Sequence, residues 1–140
     1  MSIREISFPS ANGRDTIKAW SYSPLGEPKA VVQIMHGFGE HSRRYLHMIS
    51  KFNEAGYVVL ADDHLGQGKT GVDSGTLGDS HSGGYMTFLK DEKTLHDIKK
   101  AVVENKADLG IAFDGDSDRI GVIDSEGRSM TGDKLLLIYA

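Results

Sequence analysis

The chain has no cysteine, only three prolines and one tryptophan among its 140 residues. Without cysteine there can be no disulfide, no thiolate zinc site and no cysteine nucleophile. Apolar runs are short: none approaches the ~20 residues a membrane-spanning helix needs. The opening Met1-Ser2-Ile3-Arg4-Glu5-Ile6 has no apolar signal core, so a cytoplasmic, recombinant product is expected. Neither sign of charge dominates. A net charge of −4 gives no footprint for nucleic acid or for an anionic membrane, and neither is expected as a partner. What remains is ordinary: 39% hydrophobic and 26% charged residues, without repeats or low-complexity segments. That composition and length suit a single folded domain over residues 1–140 with one core.

Period-2 patterning marks residues 3 to 8 and 15 to 22 as strands, joined at the turn signal Ser10-Ala11-Asn12-Gly13. Pro24, Gly26 and Pro28 form a loop. Ala30 to Met35 and Tyr57 to Ala61 are apolar enough to be interior strands. Between them, Arg44 to Ala55 carries apolar residues at helical spacing (Tyr45, Met48, Ile49, Phe52), and Gly56 ends that helix. The glycine-dense stretch 62 to 84 reads as a long loop, and Met86 to about Asn105 as a second helix. Leu109 to Phe113 is a further buried strand. Ile120 to Asp124 follows a connection too short for a parallel crossover, so it must return antiparallel. A closing helix starts near Gly132. Strands alternating with helices predict an α/β fold: a three-layer α/β/α arrangement around a mixed, mostly parallel sheet of about six strands. A truncated sheet leaves a raw edge, so a homodimer through that edge, or by strand exchange, is expected.

The densest chemistry sits after Phe113. Asp114, Asp116 and Asp118 are spaced two apart, with Gly115 between the first two. Three carboxylates that close repel unless a cation lies among them, and an all-oxygen set suits Mg²⁺, Mn²⁺ or Ca²⁺. Arg119 offers a fork for phosphate beside the metal. Ala107-Asp108-Leu109-Gly110-Ile111-Ala112-Phe113-Asp114-Gly115-Asp116-Ser117-Asp118-Arg119, with Ile120 to Asp124 and Gly132-Asp133-Lys134-Leu135-Leu136 after it, resembles the metal-binding-loop segment of the phosphomannomutase/phosphoglucomutase (phosphohexomutase) family. The resemblance covers residues ~99–140. It implies Asp114, Asp116 and Asp118 as ligands of a weakly held Mg²⁺ and Arg119 as a phosphate neighbour. The phosphoserine on which that family works is not recognisable.

The front of the chain resembles a second family. His36-Gly37-Phe38-Gly39-Glu40-His41-Ser42-Arg43-Arg44-Tyr45 and Ala55-Gly56-Tyr57-Val58-Val59-Leu60-Ala61-Asp62-Asp63-His64-Leu65-Gly66-Gln67-Gly68 look like the α/β-hydrolases of the monoacylglycerol-lipase or lysophospholipase kind, over residues ~5–98. The likeness implies an oxyanion-hole amide at Phe38 N–H. Leu65 stands where that family has an arginine. The family's Gly-x-Ser-x-Gly nucleophile elbow has no counterpart at the expected point in chain order, where Phe113-Asp114-Gly115-Asp116-Ser117 stands instead. The two likenesses meet inside one helix near 97–101. On this reading the chain is an engineered or selected chimera with incomplete sites from both parents, Phe38 being a vestigial oxyanion hole. No catalytic residue is assigned and no enzyme is expected. The alternatives are a truncated serine hydrolase or esterase of lipase type and a Mg²⁺-dependent phosphohexomutase-like fragment.

Other motifs are discounted. Gly66-Gln67-Gly68-Lys69-Thr70-Gly71 matches G-x-G-x-x-G, but Val72 to Gly75 does not open a helix to receive a pyrophosphate. Ser80 to Gly84 lacks the apolar strand that a nucleophile elbow requires. His36, His41, His47 and His64 read as polar loop and helix-surface residues rather than a metal cluster.

Overall fold

The computed structural model describes residues 1–79, 86–87, 90–91, 102–104, 106–113 and 120–130. The long hairpin expected at the N-terminus forms β1 (Ser2–Pro9) and β2 (Thr16–Ser23), in antiparallel register from Ser2↔Ser23 to Pro9↔Thr16. Its turn is closed by polar side chains. The Asn12 Oδ1 accepts the amides of Arg14 and Asp15 at 2.9 Å each, which is how asparagine shapes such turns. Buried Asp91 reaches the same turn, accepting the Ser10 hydroxyl at 2.7 Å and the Ala11 amide at 2.5 Å. Burial pushes the Asp91 carboxyl above its ordinary value, against the pull of those two bonds.

Next come β3 (Ala30–Ile34), a 3₁₀ turn at Ser42–Tyr45, α1 (Leu46–Glu54), β4 (Tyr57–Asp63) and α2 (Gly68–Ser74). Further on lie β5 (Leu109–Phe113), β6 (Ile120–Asp124) and the two-residue β7 (Ser129–Met130). All seven strands form one sheet in the order β1-β2-β4-β3-β5-β6-β7. The sheet is mixed, as expected, but the parallel part is confined to its centre: β4, β3 and β5 pair in parallel, and every other pairing is antiparallel. The expectation of a mostly parallel sheet is corrected accordingly. The cause is local: β2 arrives from a hairpin on one side, and six residues between β5 and β6 allow only an antiparallel return on the other.

The central strands bury both faces. One face packs Trp20, Tyr22, Val32, Ile34, Val59 and Ala61 against Ile49 of α1. The other packs Val31, Val58, Leu60, Ala107 and Ile123 against Val102, in the helical residues 102–104. Helix, sheet and helix make the three expected layers. Each fully buried valine or isoleucine contributes about 1.5–3 kcal/mol relative to exposure, so this centre holds the molecule together.

Two expectations for the middle of the chain change. The stretch read as loop from 62 contains α2. The helix expected over 86–105 appears at 86–87, 90–91 and 102–104, and the rest of that span, like the closing helix from Gly132, lies outside the described residues. Among the described residues no helix is long and apolar enough to cross a membrane.

Candidate active site

Ligands bind open α/β sheets at the carboxyl ends of the strands, where neighbouring connections depart in opposite directions. Here that point lies between β3 and β5. The chain leaving β3 turns toward β4, while β5 on the other flank pairs onward with β6. The two strand ends are adjacent, Ile34 opposite Phe113. The segment on the β3 side, residues 35–41, is the one whose sequence resembled an oxyanion loop.

That loop is fastened from several directions. The Glu40 amide donates to the Gly37 carbonyl at 3.2 Å, and Gly39 has φ +78°, so residues 37–40 form a turn of type II character with glycine at the position that needs a positive φ. Gly39 N–H donates to Gln67 Oε1 at 2.8 Å. The Glu40 carboxylate accepts the Tyr45 hydroxyl at 2.6 Å and pairs with Arg44 at 3.1 Å; the tyrosine bond, more than the arginine charge, holds it below the usual carboxylate range. The Phe38 side chain projects outward, 83% exposed.

Beneath the loop the rings of His36 and His64 lie 3.9 Å apart. His36 Nδ1 donates to the Gly37 carbonyl at 2.8 Å, and its Nε2 accepts the His64 amide at 3.0 Å. This arrangement needs a neutral ring, and burial first, then the neighbouring His64, lowers the His36 pKa to keep it so. His64 in turn donates from Nε2 to the His36 carbonyl at 2.9 Å and faces buried Asp62 through Nδ1 at 3.1 Å. Each ring nitrogen of His64 thus faces an oxygen. His36 and His64 are therefore not the polar loop residues the sequence suggested; they bolt the root of the loop to the end of β4. His41 and His47 are exposed, as expected.

Asp63 completes the frame. Its buried carboxylate accepts the Ser42 amide at 2.8 Å, the Ser42 hydroxyl at 2.7 Å and the Lys69 amide at 2.6 Å, joining the loop's far end to the first turn of α2. The Asp63 carbonyl accepts the Thr70 hydroxyl at 2.6 Å, which itself accepts the Lys18 amide from β2 at 2.8 Å. A cleft of about 620 Å³ opens between loop and helix, lined by Gly39, Arg43, Gln67, Lys69, Val72 and Leu77 among others. The G-x-G-x-x-G match does run into a helix after all, so the reason for discounting it is corrected. Its first turn is occupied by the chain's own Asp63, and the last glycine is a packing device: a Cβ on Gly71 would fall on the Gly66 carbonyl carbon. Leu65, in place of the arginine, is fully buried.

Asp114, Asp116, Asp118 and Arg119 lie outside the described residues. Among the described residues no cluster of three or more His, Asp or Glu side chains could hold a metal ion.

A family model described as Hydrolase_4, serine aminopeptidase S33, matches residues 26–117. The chain belongs to this family. A highly thermostable carboxyl esterase from Bacillus coagulans, solved with glycerol, superposes with a TM-score of 0.67 at 59% identity, covering 72% of this chain and 33% of the esterase. The monoacylglycerol lipase of Mycolicibacterium smegmatis is 36% identical over 92 residues, which are 65% of this chain and 30% of that enzyme. The second resemblance is also present: the phosphoglucosamine mutase of Limosilactobacillus fermentum is 62% identical over 42 residues, 30% of this chain and 9% of the mutase. This Hydrolase_4 member thus spans about a third of its esterase and lipase relatives, and a far smaller share of the mutase.

These matches overturn the expectation that the chain is no enzyme. The family model and the esterase likeness both point to a hydrolase. The missing Gly-x-Ser-x-Gly argues against an enzyme, whereas the loop after β3 is held by a complete set of supports. The residues that build it, Asp63, Gln67, His36 and His64, were inside the quoted hydrolase-like stretches. The sequence marks neither Asp63 nor Gln67 as a support and places His36 and His64 only as polar residues, because each acts on backbone far away in sequence.

Proposed function

We propose that this Hydrolase_4 chain acts on carboxylic esters, using the turn at Gly37–Glu40 to bind and polarise the ester carbonyl. The observation that supports this most is the Gly39 N–H to Gln67 bond of 2.8 Å, which fixes that turn beside the carboxyl ends of β3 and β5. Phe38 N–H is the donor to the oxygen on which charge develops, and Phe38's exposed ring flanks an ester arriving from solvent. A preorganised amide at that position stabilises the tetrahedral transition state without reorganisation at the moment of reaction. Carbonyl polarisation and substrate binding alone sustain acceleration of about 10³-fold over water in serine hydrolases stripped of their triad. That is the floor expected here. Release of p-nitrophenol from p-nitrophenyl butyrate measures it: turnover about 10³-fold above buffer supports the reading, and a rate equal to buffer overturns it. Ser117→Ala and Asp114→Asn, tested in parallel, show whether either residue of the segment that follows β5 in sequence takes part in the attack.

A second reading concerns the C-terminal segment, and the 62% identity to a phosphoglucosamine mutase favours it. The donor chemistry of Asp114, Asp116 and Asp118 fits Mg²⁺, and bound there the ion would neutralise phosphate charge beside Arg119. With three carboxylates and no phosphate ligand, affinity is expected at about the millimolar end of such sites. The join near 97–101, with 1–98 as the hydrolase-like and 99–140 as the mutase-like part, belongs to this reading. Melting temperatures of wild type and Asp116→Asn with Mg²⁺, Mn²⁺ and Ca²⁺ test it: a cation-dependent rise in wild type alone supports the site, and no rise at tens of millimolar overturns it.

A further inference from the structure

Gln67 stands at the N-cap of α2 with extended backbone, φ −126° and ψ 157°, yet its side chain makes no capping bond. Helix N-termini favour Ser, Thr, Asp or Asn at that place, because their short side chains reach back to the first free amides. Glutamine does not serve that purpose, and here its amide oxygen reaches across 28 residues to the Gly39 N–H instead. The frame that presents it is rigid. Gln67 N–H donates to the His64 carbonyl at 2.9 Å, and the Gln67 carbonyl accepts the Gly71 amide at 2.8 Å. The residue is almost completely buried, 7% exposed, so the bond is shielded from competing water.

The recipient is the most adjustable unit of the turn. The Phe38–Gly39 peptide is the central plane, and its two orientations distinguish turns of type I from type II. A buried acceptor on the Gly39 N–H selects one of them. We propose that Gln67 is a positioning residue for ester binding: by holding the 38–39 peptide it keeps the 37–40 turn in one form, and so fixes the place of Phe38, whose N–H lies on the preceding 37–38 peptide and meets the carbonyl oxygen. The proposal rests on the esterase reading above. A glutamine acceptor has no titration in the working range.

Two measurements on the whole chain test it, on wild type, Gln67→Met, which keeps the shape without the acceptor, and Gln67→Glu, which keeps an acceptor oxygen. Native-state hydrogen exchange at the Gly39 amide is expected to rise by about tenfold or more in Gln67→Met. Hydrolysis of p-nitrophenyl butyrate is expected to lose about 10–100-fold in kcat with KM within about twofold, a split that a purely structural residue would not produce. Gln67→Glu is expected to recover kcat to within about threefold of wild type. Unchanged Gly39 exchange in Gln67→Met overturns the proposal, as does lost protection with an unchanged kcat in an active enzyme. If Gln67→Met does not fold, Gln67→Asn, which withdraws the oxygen by one methylene, carries both measurements. A wild type without turnover sinks the esterase reading by itself; Gly39 exchange then still decides whether the clamp exists.

Discussion

The two ends of this sheet are built in different ways. From β1 to α2, polar side chains reach backbone groups far along the chain: Thr70 to Lys18 across 52 residues, Asn53 to the Tyr22 carbonyl across 31, Gln67 to Gly39 across 28 and Asp63 to Ser42 across 21. From β5 to β7, the side-chain bonds among the described residues stay within a few residues, Asp124 accepting the amides of Glu126 and Arg128 at 3.0 and 2.9 Å. This hairpin joins the molecule through the backbone ladder of β5 on β3 and through Ala107 and Ile123 in the core. Ladder bonds and apolar contacts ask little of their partner's sequence. Long-range bonds from side chain to backbone ask for one residue at one place, and they are concentrated where the loop of the candidate site must be held.

That contrast can be broken in graded steps. Asp63→Ala leaves the Ser42 amide and hydroxyl and the Lys69 amide without their acceptor; we expect a loss of about 3–5 kcal/mol, read by urea unfolding. Ile49→Ala, opening a cavity under α1 at a fully buried position, is expected to cost about 3 kcal/mol on the same measurement. Acid should act next. The folded protein holds His36 neutral below its ordinary pKa, so the unfolded chain takes up a proton that the native ring refuses. Stability therefore falls as pH drops from about 6.5 toward the lowered native value and is level above about 6.5. Unfolding curves from pH 7.5 to 5 should show that slope, and His36→Gln should flatten it. Asp124→Ala, where the side-chain bonds among the described residues all go to sequence neighbours, is expected to change stability least; an effect as large as that of Asp63→Ala would erase the distinction between the two regions.

Much of the architecture was legible because it depends on local patterns. Alternation in residues 3–8 and 15–22, the Asn12-Gly13 turn and the apolar runs at 30–34, 57–61 and 109–113 each specify their element without reference to the rest. The antiparallel return of β6 followed from connection length alone. The short helix α2 was hidden by Gly68 and Gly71, residues of poor helix propensity that tertiary packing demands. The oxyanion-type loop was legible as a stretch, through the run His36 to Tyr45. Its supports were not. Gln67 in a glycine-dense segment looks like any polar loop residue until β3 and β4 lie side by side and bring residues 39 and 67 within hydrogen-bonding distance.

The amide of Phe38, held by that network, is expected to meet the ester carbonyl. Phe38 occupies the first central position of the 37–40 turn, where proline is well accommodated, so Phe38→Pro removes the N–H while keeping the turn, and Phe38→Ala removes the ring while keeping the N–H. The measurement is kcat/KM for p-nitrophenyl butyrate in the two variants. The proline variant is expected to fall about 10²-fold or more below the alanine variant, the loss that follows removal of one oxyanion donor. Equal values in two folded variants would contradict it.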